Sequence, residues 1–288
     1  MSDLPRIADL PAPPARPAEG HKGTFGTVIV IGGSATMIGA PAIAARAAFR
    51  IGAGLVKLAT DPAVLPFAIT IEPGATGLQL FGSLDDRLAA LDAVDAGGEA
   101  ILAVGPGLGQ TRESADLLHV LLRGQRAMVL DADGLNLLAR SGQRHATAGA
   151  PLVLTPHPGE FRRLAEPLGI TASPTDDAQR PEAAAALAEA HRAVVVLKGR
   201  RTVVCDGRRV YVNTSGHSAL ATAGSGDVLT GVIAGLMGQG MTAFDAAVLG
   251  VHVHGLAAER WVAAHGQAGL RALDLCDHLP VALDSRRR

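Results

Sequence analysis

Residues 100–130, AILAVGPGLGQTRESADLLHVLLRGQRAMVL, contain one whole repeat of a recognisable folding rhythm. Ala100–Val104 is an apolar run without polar alternation, the pattern of a strand covered on both faces. Gly105-Pro106-Gly107-Leu108-Gly109 turns the chain, and residues 112–123 return at helical spacing before a second apolar run, Ala127–Leu130. Strand, glycine turn, helix and strand within such a span is a βαβ crossover, which joins parallel strands.

The same rhythm continues outward. Thr27–Ile31 and Leu55–Ala59 precede this unit as strands, and Pro151–Leu154 and Ala193–Leu197 follow it. Segments 40–52, 86–96, 133–140, 159–166 and 181–191 read as the helices between them. The alternation predicts an α/β fold with a doubly wound, mostly parallel sheet and helices on both faces. At Asp206-Gly207 the rhythm changes to a hairpin signal, which adds antiparallel strands Thr202–Cys205 and Arg209–Val212 at one edge. Segments of about 226–238 and 243–264, rich in Ala, Gly, Leu and Val, read as two long helices. Residues 1–20 are a Pro/Ala-rich lead and 281–288 a basic-ended tail, both expected to be mobile. Residues 21–280 are left as a single domain.

Composition removes several classes of function. Lys and Arg number 26 against 27 Asp and Glu, so the basic excess expected for nucleic acid or anionic lipid is missing. Six Phe, one Tyr and one Trp supply little for a base-stacking platform or a membrane belt. The uncharged stretch 228–244 is short for a bilayer, and the first residues lack a basic segment followed by an apolar run. Cys205 and Cys276 are far apart and outside any CxxC or Cys/His pattern, which suits free thiols in the cytoplasm.

In open parallel sheets, ligands sit at the carboxyl ends of the strands. Gly32-Gly33-Ser34, with Gly39-Ala40-Pro41 opening the next helix, and Gly105 to Gly109 occupy such ends. They match neither GxGxxG nor the P-loop. Ala223-Gly224-Ser225-Gly226-Asp227 is sharper: Gly-Ser-Gly at a helix start leaves backbone N–H groups for an anion, helped by the helix dipole. Asp227 beside that site is a helix cap or a base, and the base is favoured because a carboxylate next to an anion is costly without proton transfer. His157, bracketed by Pro156 and Pro158, either contacts a ligand or bonds its own loop. Asp131 and Asp133 either reach a magnesium-bound phosphate through water or cap the following helix. Lys198-Gly199-Arg200-Arg201-Thr202 places cations for a nucleotide phosphate or ribose, or forms a solvated turn. His252 and His254 are a poor metal pair, and His119, His191 and His265 read as helix-surface or boundary residues.

Taken in order, His21-Lys22-Gly23-Thr24-Phe25-Gly26, Ile31-Gly32-Gly33-Ser34, Gly52-Ala53-Gly54-Leu55-Val56, Val104 to Gly109, Leu130-Asp131-Ala132-Asp133-Gly134-Leu135-Asn136, Thr155 to Glu160 and Ala223 to Asp227 resemble the ADP-dependent NAD(P)H-hydrate dehydratases. The resemblance covers about residues 20–260. It implies a ribokinase-like three-layer α/β/α sandwich and a lyase that returns the S epimer of hydrated NADH or NADPH to the dinucleotide. ADP is the implied co-substrate, with magnesium bridging the phosphates and no metal-ligating residue assigned. Asp227 is implied as the catalytic base, and Ala40, Gly107, His157 and Asp227 as contacts to the hydrated dinucleotide. Lys198, Gly199, Arg200, Arg201 and Thr202, with Gly224, Ser225 and Gly226, are implied nucleotide contacts. A separate epimerase and a homo-oligomer, a tetramer, are the implied partners. Met37-Ile38 stands where such proteins often carry an aromatic residue, and His217-Ser218 where Asn-Pro is usual. The competing reading within this superfamily is an ATP-dependent kinase of the hydroxymethylpyrimidine or hydroxyethylthiazole type. A nucleotide binder without catalysis is a third, and an intact Asp227 argues against it.

Overall fold

A computed structural model of the chain describes residues 4–142 and 149–286, so Met1 to Asp3 of the lead and Arg287-Arg288 of the tail lie outside the described residues. The first half runs β1 (Arg6–Ile7), β2 (Thr27–Ile31), α1 (Gly39–Arg50), β3 (Leu55–Thr60), α2 (Leu65–Ile71), β4 (Thr76–Gln79), α3 (Leu84–Val94), β5 (Ile101–Val104), α4 (Arg112–Arg123) and β6 (Met128–Leu130). The second half runs α5 (Ala132–Ser141), β7 (Leu152–Leu154), α6 (Pro158–Ala165), α7 (Arg180–His191), β8 (Val194–Leu197), β9 (Val203–Cys205), β10 (Val210–Val212), α8 (Ser225–Gly238), α9 (Ala243–His265) and α10 (Ala272–Asp284).

One sheet takes the order β1-β10-β9-β8-β7-β6-β5-β2-β3-β4. From β4 across to β8 every neighbouring pair is parallel, and β9 pairs antiparallel with β8 and β10. The strand order reverses between β2 and β5, so the carboxyl ends of these two strands flank a switch point. Period-two alternation assigns the faces: Val28 and Val30 pack under α1, α8, α9 and α10, and Ile29 and Ile31 under α4, α5, α6 and α7. The result is the ribokinase-like three-layer sandwich, mostly parallel at its centre.

Small residues bring α1 and α8 into close contact. Ala44, Ala47 and Ala48 of α1 are fully buried, and a Cβ placed on Gly231 of α8 would lie 2.0 Å from the Ala44 carbonyl oxygen. That approach leaves no room for a side chain at 231 and fixes α8 over the central strands. The N-terminus of α8 is carried with it to the carboxyl edge of the sheet.

The structure departs from the sequence reading mainly at the margins. The lead is docked: Arg6 and Ile7 pair with Val210 and Tyr211, and Arg16 donates to the Gly52 carbonyl while covering the Phe25 ring. The tail begins inside α10, which passes through Pro280 and continues to Asp284. A proline reads as a stop, but it enters here as an internal helix residue with Leu279 and Ala282 buried around it. The edge strand β4 and the short helix α2 have no clear signature in the sequence. Only Leu78 of β4 is turned away from full exposure, so its run lacks a clear period, and α2 is seven residues with a proline in its first turn. His191, expected near the surface, is buried, and Cys205 and Cys276 are buried free thiols. No described helix is long and apolar enough to cross a membrane.

Candidate active site

The carboxyl ends of β2, β5, β6, β7 and β8 are joined beyond their ladders. The Gly105 amide donates to the Ile31 carbonyl (3.0 Å), Asp131 to Val104 (3.0 Å), Thr155 to Leu130 (3.1 Å) and Lys198 to Pro156 (2.8 Å). The glycine turns interlock, with the Gly33 amide donating to the Pro106 carbonyl at 2.9 Å. Gly107 has φ +62°, and a Cβ there would lie 2.7 Å from the Met37 Cβ and 3.2 Å from the Ala40 Cβ. Ala40, Gly107 and Met37 therefore share one wall, and Met37 is half-exposed at its rim.

Beside it lies the start of α8, where a Cβ on Gly224 would lie 3.2 Å from Ile43 Cδ1 of α1. Gly224 occupies the N-cap position at φ +85° and no side chain caps the helix, so the first-turn amides are open to an anion. The Ser225 hydroxyl donates to the Leu220 carbonyl, and buried His254 bonds the Ser225 carbonyl through Nε2 at 2.9 Å. Burial lowers the His254 pKa to about 4, so its ring is neutral and Nε2–H is the donor.

Beneath this turn is a buried charge cluster. Lys198 Nζ lies 2.7 Å from Asp131 Oδ1 and 3.8 Å from Glu160 Oε2, and Thr230 Oγ1 of α8 donates to Asp131 Oδ2 at 2.8 Å. A Cβ on Gly226 would meet Lys198 Nζ at 3.3 Å, which places the ammonium directly below the anion loop. Burial opposes the charge on Asp131, but Lys198 and the bonds from Lys198, Thr230 and Thr155 outweigh it and hold the carboxyl below its ordinary value. The carboxylates around Lys198 likewise outweigh its burial and raise its pKa, so the ammonium stays charged.

His157 caps α6. Its Nδ1 accepts from the Gly159 and Glu160 amides at 2.9 and 3.3 Å, and its own amide donates to Glu160 Oε2 at 2.8 Å. An acceptor at Nδ1 leaves the proton on Nε2, which faces Glu160 Oε1 at 3.4 Å. Burial, then the charge on Lys198, depresses the His157 pKa, so the exposed ring is a neutral donor. Asp227 is partly buried in the first turn of α8. Burial first, then Asp131 and Glu160, raises it to about 7 against the opposing pull of Lys198. Burial does the same to Glu160, also to about 7.

His157, Lys198, Gly226 and Asp227 are thus brought to one place, with Ala40 and Gly107 on the adjoining wall. Gly199, Arg200 and Arg201 form an exposed turn, closed by the Thr202 hydroxyl donating to the Gly199 carbonyl at 3.0 Å. The Lys198 side chain is turned inward to Asp131, so its backbone, and not its ammonium, continues the ledge of this turn. Asp133 instead fastens the Gly109 loop, accepting from the Gly109 amide and the Gln110 amide side chain at 2.9 Å each. Glu160, Thr230 and His254 carried no role in the sequence reading; TPHPGE held the one available signal, a Glu at the third helical position. His217 Nδ1 accepts from the Ala219 amide at 3.1 Å, an acceptor role that an asparagine at that position also serves.

A profile of the NAD(P)H-hydrate dehydratases matches residues 28–281. The chain belongs to the NAD(P)H-hydrate dehydratase family. It is 41% identical over 250 residues to the ADP-dependent (S)-NAD(P)H-hydrate dehydratase of Neisseria meningitidis, covering 85% of this chain and 80% of that protein. It is 43% identical over 285 residues to a bifunctional NAD(P)H-hydrate repair enzyme of Moorella thermoacetica, covering 94% of this chain. This chain spans about half, 51%, of that relative's length. The crystal structure of the ADP/ATP-dependent NAD(P)H-hydrate dehydratase from Bacillus subtilis, co-crystallized with ATP and magnesium, superposes with a TM-score of 0.79 at 30% identity, covering 99% of this chain and 100% of that one.

Proposed function

We propose that this dehydratase family member acts on the S epimer of hydrated NADH or NADPH, converting ADP to AMP and phosphate as the reduced dinucleotide is restored. The observation that carries the reading is Asp227, a carboxylate with a pKa near neutrality in the first turn of an uncapped helix. Hydroxide is a poor leaving group, and phosphorylation converts it into a good one. In this reading Asp227 takes the proton from the ring hydroxyl as its oxygen attacks the β-phosphorus of ADP, and the bond to AMP breaks. Amides of the first turn of α8 bear the charge that develops on the phosphoryl oxygens. The ring nitrogen then expels phosphate, and the adjacent ring carbon gives up a proton to restore the double bond.

The wall of Ala40 and Gly107, with Asp227 and exposed His157 beside it, is assigned to the dinucleotide. The 198–202 turn, with Gly224, Ser225 and Gly226, is assigned to the adenine nucleotide. Among the described residues no group of three His, Cys, Asp or Glu side chains is arranged to hold a metal ion, and the Asp131 oxygens are bonded to Lys198 and Thr230. Magnesium enters this reading as the counter-ion carried by ADP. Conversion of the R epimer to the S epimer lies outside the roles assigned to these residues.

The test is to incubate the protein with epimer-resolved NADPH hydrate, magnesium and either ADP or ATP. Recovery of reduced-nicotinamide absorbance with one AMP per turnover is expected for the S epimer with ADP. The rate constant at low substrate is expected to rise with pH through about 7 as Asp227 ionises. Phosphorylation of a hydroxymethylpyrimidine or hydroxyethylthiazole by ATP, without that recovery, favours the kinase reading.

A further inference from the structure

Arg180, at the start of α7, is 4% exposed and lies at the carboxyl end of β8. Its Nη1 donates to the Pro174 carbonyl at 2.7 Å, and its Nη2 donates to the carbonyls of Leu197 at 2.8 Å and Lys198 at 3.3 Å. Its Nε is buried without a partner. Gly199 passes directly over the guanidinium: a Cβ there would lie 3.2 Å from Nη1 and 3.4 Å from Nη2. The carboxylate whose charge reaches Arg180, Asp177, is exposed and makes no ion pair with it among the described residues.

A buried guanidinium without a carboxylate is unusual, because desolvation is normally offset by a paired charge. Carbonyl oxygens at a strand end offset part of that cost, and the rest is left open. Arg200 and Arg201 lie exposed in the turn above and are likewise outside any ion pair among the described residues, whereas Lys198 is already neutralised by Asp131. The 198–202 turn therefore rests on a surplus of positive charge with a buried source. The open amides of α8 add to it from the other side.

We infer that Arg180 is a positioning residue that supplies a buried positive charge beneath the 198–202 turn, neutralised when a nucleoside diphosphate binds there. This rests on the nucleotide assignment proposed above. Such a charge, little screened by solvent, favours a ligand in proportion to its own negative charge, so it separates ADP from AMP. A residue that only shapes the turn affects both nucleotides by the same factor.

The experiment measures ADP and AMP binding by calorimetry in wild-type protein, Arg180→Met and Arg180→Lys, with circular dichroism to verify folding. Arg180→Met is expected to weaken ADP at least about tenfold and AMP less, so the ratio of the two affinities falls at least about threefold. Arg180→Lys, which keeps the charge and loses the fork, is expected to hold the wild-type ratio even where both affinities drop. Equal losses for ADP and AMP in Arg180→Met, or no loss, overturn the inference. If Arg180→Met does not fold, Arg180→Gln, which also removes the charge but keeps amide donors for the carbonyls, is read in its place: a fall of the affinity ratio supports the inference and equal losses for ADP and AMP overturn it. Absence of ADP binding by the wild-type protein overturns the nucleotide assignment itself, and with it this inference.

Discussion

Replacing Asp227 with asparagine is expected to lower turnover by roughly 10²–10⁴-fold while leaving ADP affinity within about twofold, and to make the protein more stable at alkaline pH. The loss of turnover follows from removing the proposed base. The gain in stability follows from the same burial that raises the carboxyl to about 7. An unfolded Asp titrates near 4, so between these values the folded chain binds more protons than the unfolded one and stability falls as pH rises. Below the lower value the carboxyl is neutral in both states and the variant gains nothing from the substitution. Above about pH 7 wild type bears the full cost, on the order of 4 kcal/mol for a rise of about three pKa units, and the variant does not. That corresponds to roughly 5–15 degrees in melting temperature at about pH 8 and little at about pH 4. Scanning calorimetry at the two pH values, alongside turnover, checks both halves. Unchanged turnover removes Asp227 from the chemistry, and an unchanged melting temperature contradicts the desolvation argument.

The largest stability effect is expected at Lys198. Its ammonium holds Asp131 ionised inside the fold, and Asp131 in turn is bonded to Thr230 on α8. Lys198→Met leaves a buried carboxylate without its cation, at a cost of about 3–5 kcal/mol. The wild-type contribution of Asp131 is present above the ordinary carboxylate range and is lost on acidification, because its folded pKa is depressed. The penalty in Lys198→Met is therefore expected to be larger at about pH 8 than at about pH 5, where Asp131 protonates more readily. Adding Asp131→Asn to that variant is expected to recover part of the loss, since the orphaned charge is gone. Urea unfolding of the two single variants and the double variant measures the coupling. Simple addition of the two single losses would mean that the buried pair is not coupled.

Both predictions involve groups that the sequence displayed unequally. Asp227 was legible because Gly-Ser-Gly at a helix start has a local physical reason, unpaired amides, and its neighbour in sequence is its neighbour in space. The same holds for the parallel strands, whose unbroken apolar runs reflect burial on both faces. Lys198 was legible as a cation at a strand end but not in its orientation. Its partner Asp131 is 67 residues away, and Thr230 lies 99 residues from Asp131, so only the sheet order brings the three together. Arg180 was hidden in an Ala-rich helix, where an arginine near the first turn reads as a solvated residue. The structure turns it under Gly199 because α7 packs beside β8 and β9.

His157 illustrates a middle case. The flanking prolines indicated a held ring, and the ring is held, but by accepting two helix-terminal amides and not by the prolines alone. That arrangement fixes which nitrogen bears the proton, a detail no spacing rule supplies. His217 does related work with Ala219, so the change from an Asn-Pro pattern keeps a backbone cap while changing the side chain that makes it.

The most direct measurement follows the oxygen of the substrate hydroxyl. NADPH hydrate prepared with heavy oxygen in that hydroxyl, converted with unlabelled ADP in ordinary water, is expected to yield phosphate carrying the label, one heavy atom per turnover, and unlabelled AMP. That outcome requires a bond between the substrate oxygen and the β-phosphorus, the step proposed for Asp227. Label released into water, with unlabelled phosphate, would mean that the hydroxyl leaves without being phosphorylated, and would contradict the assignment of Asp227 as the base for that step.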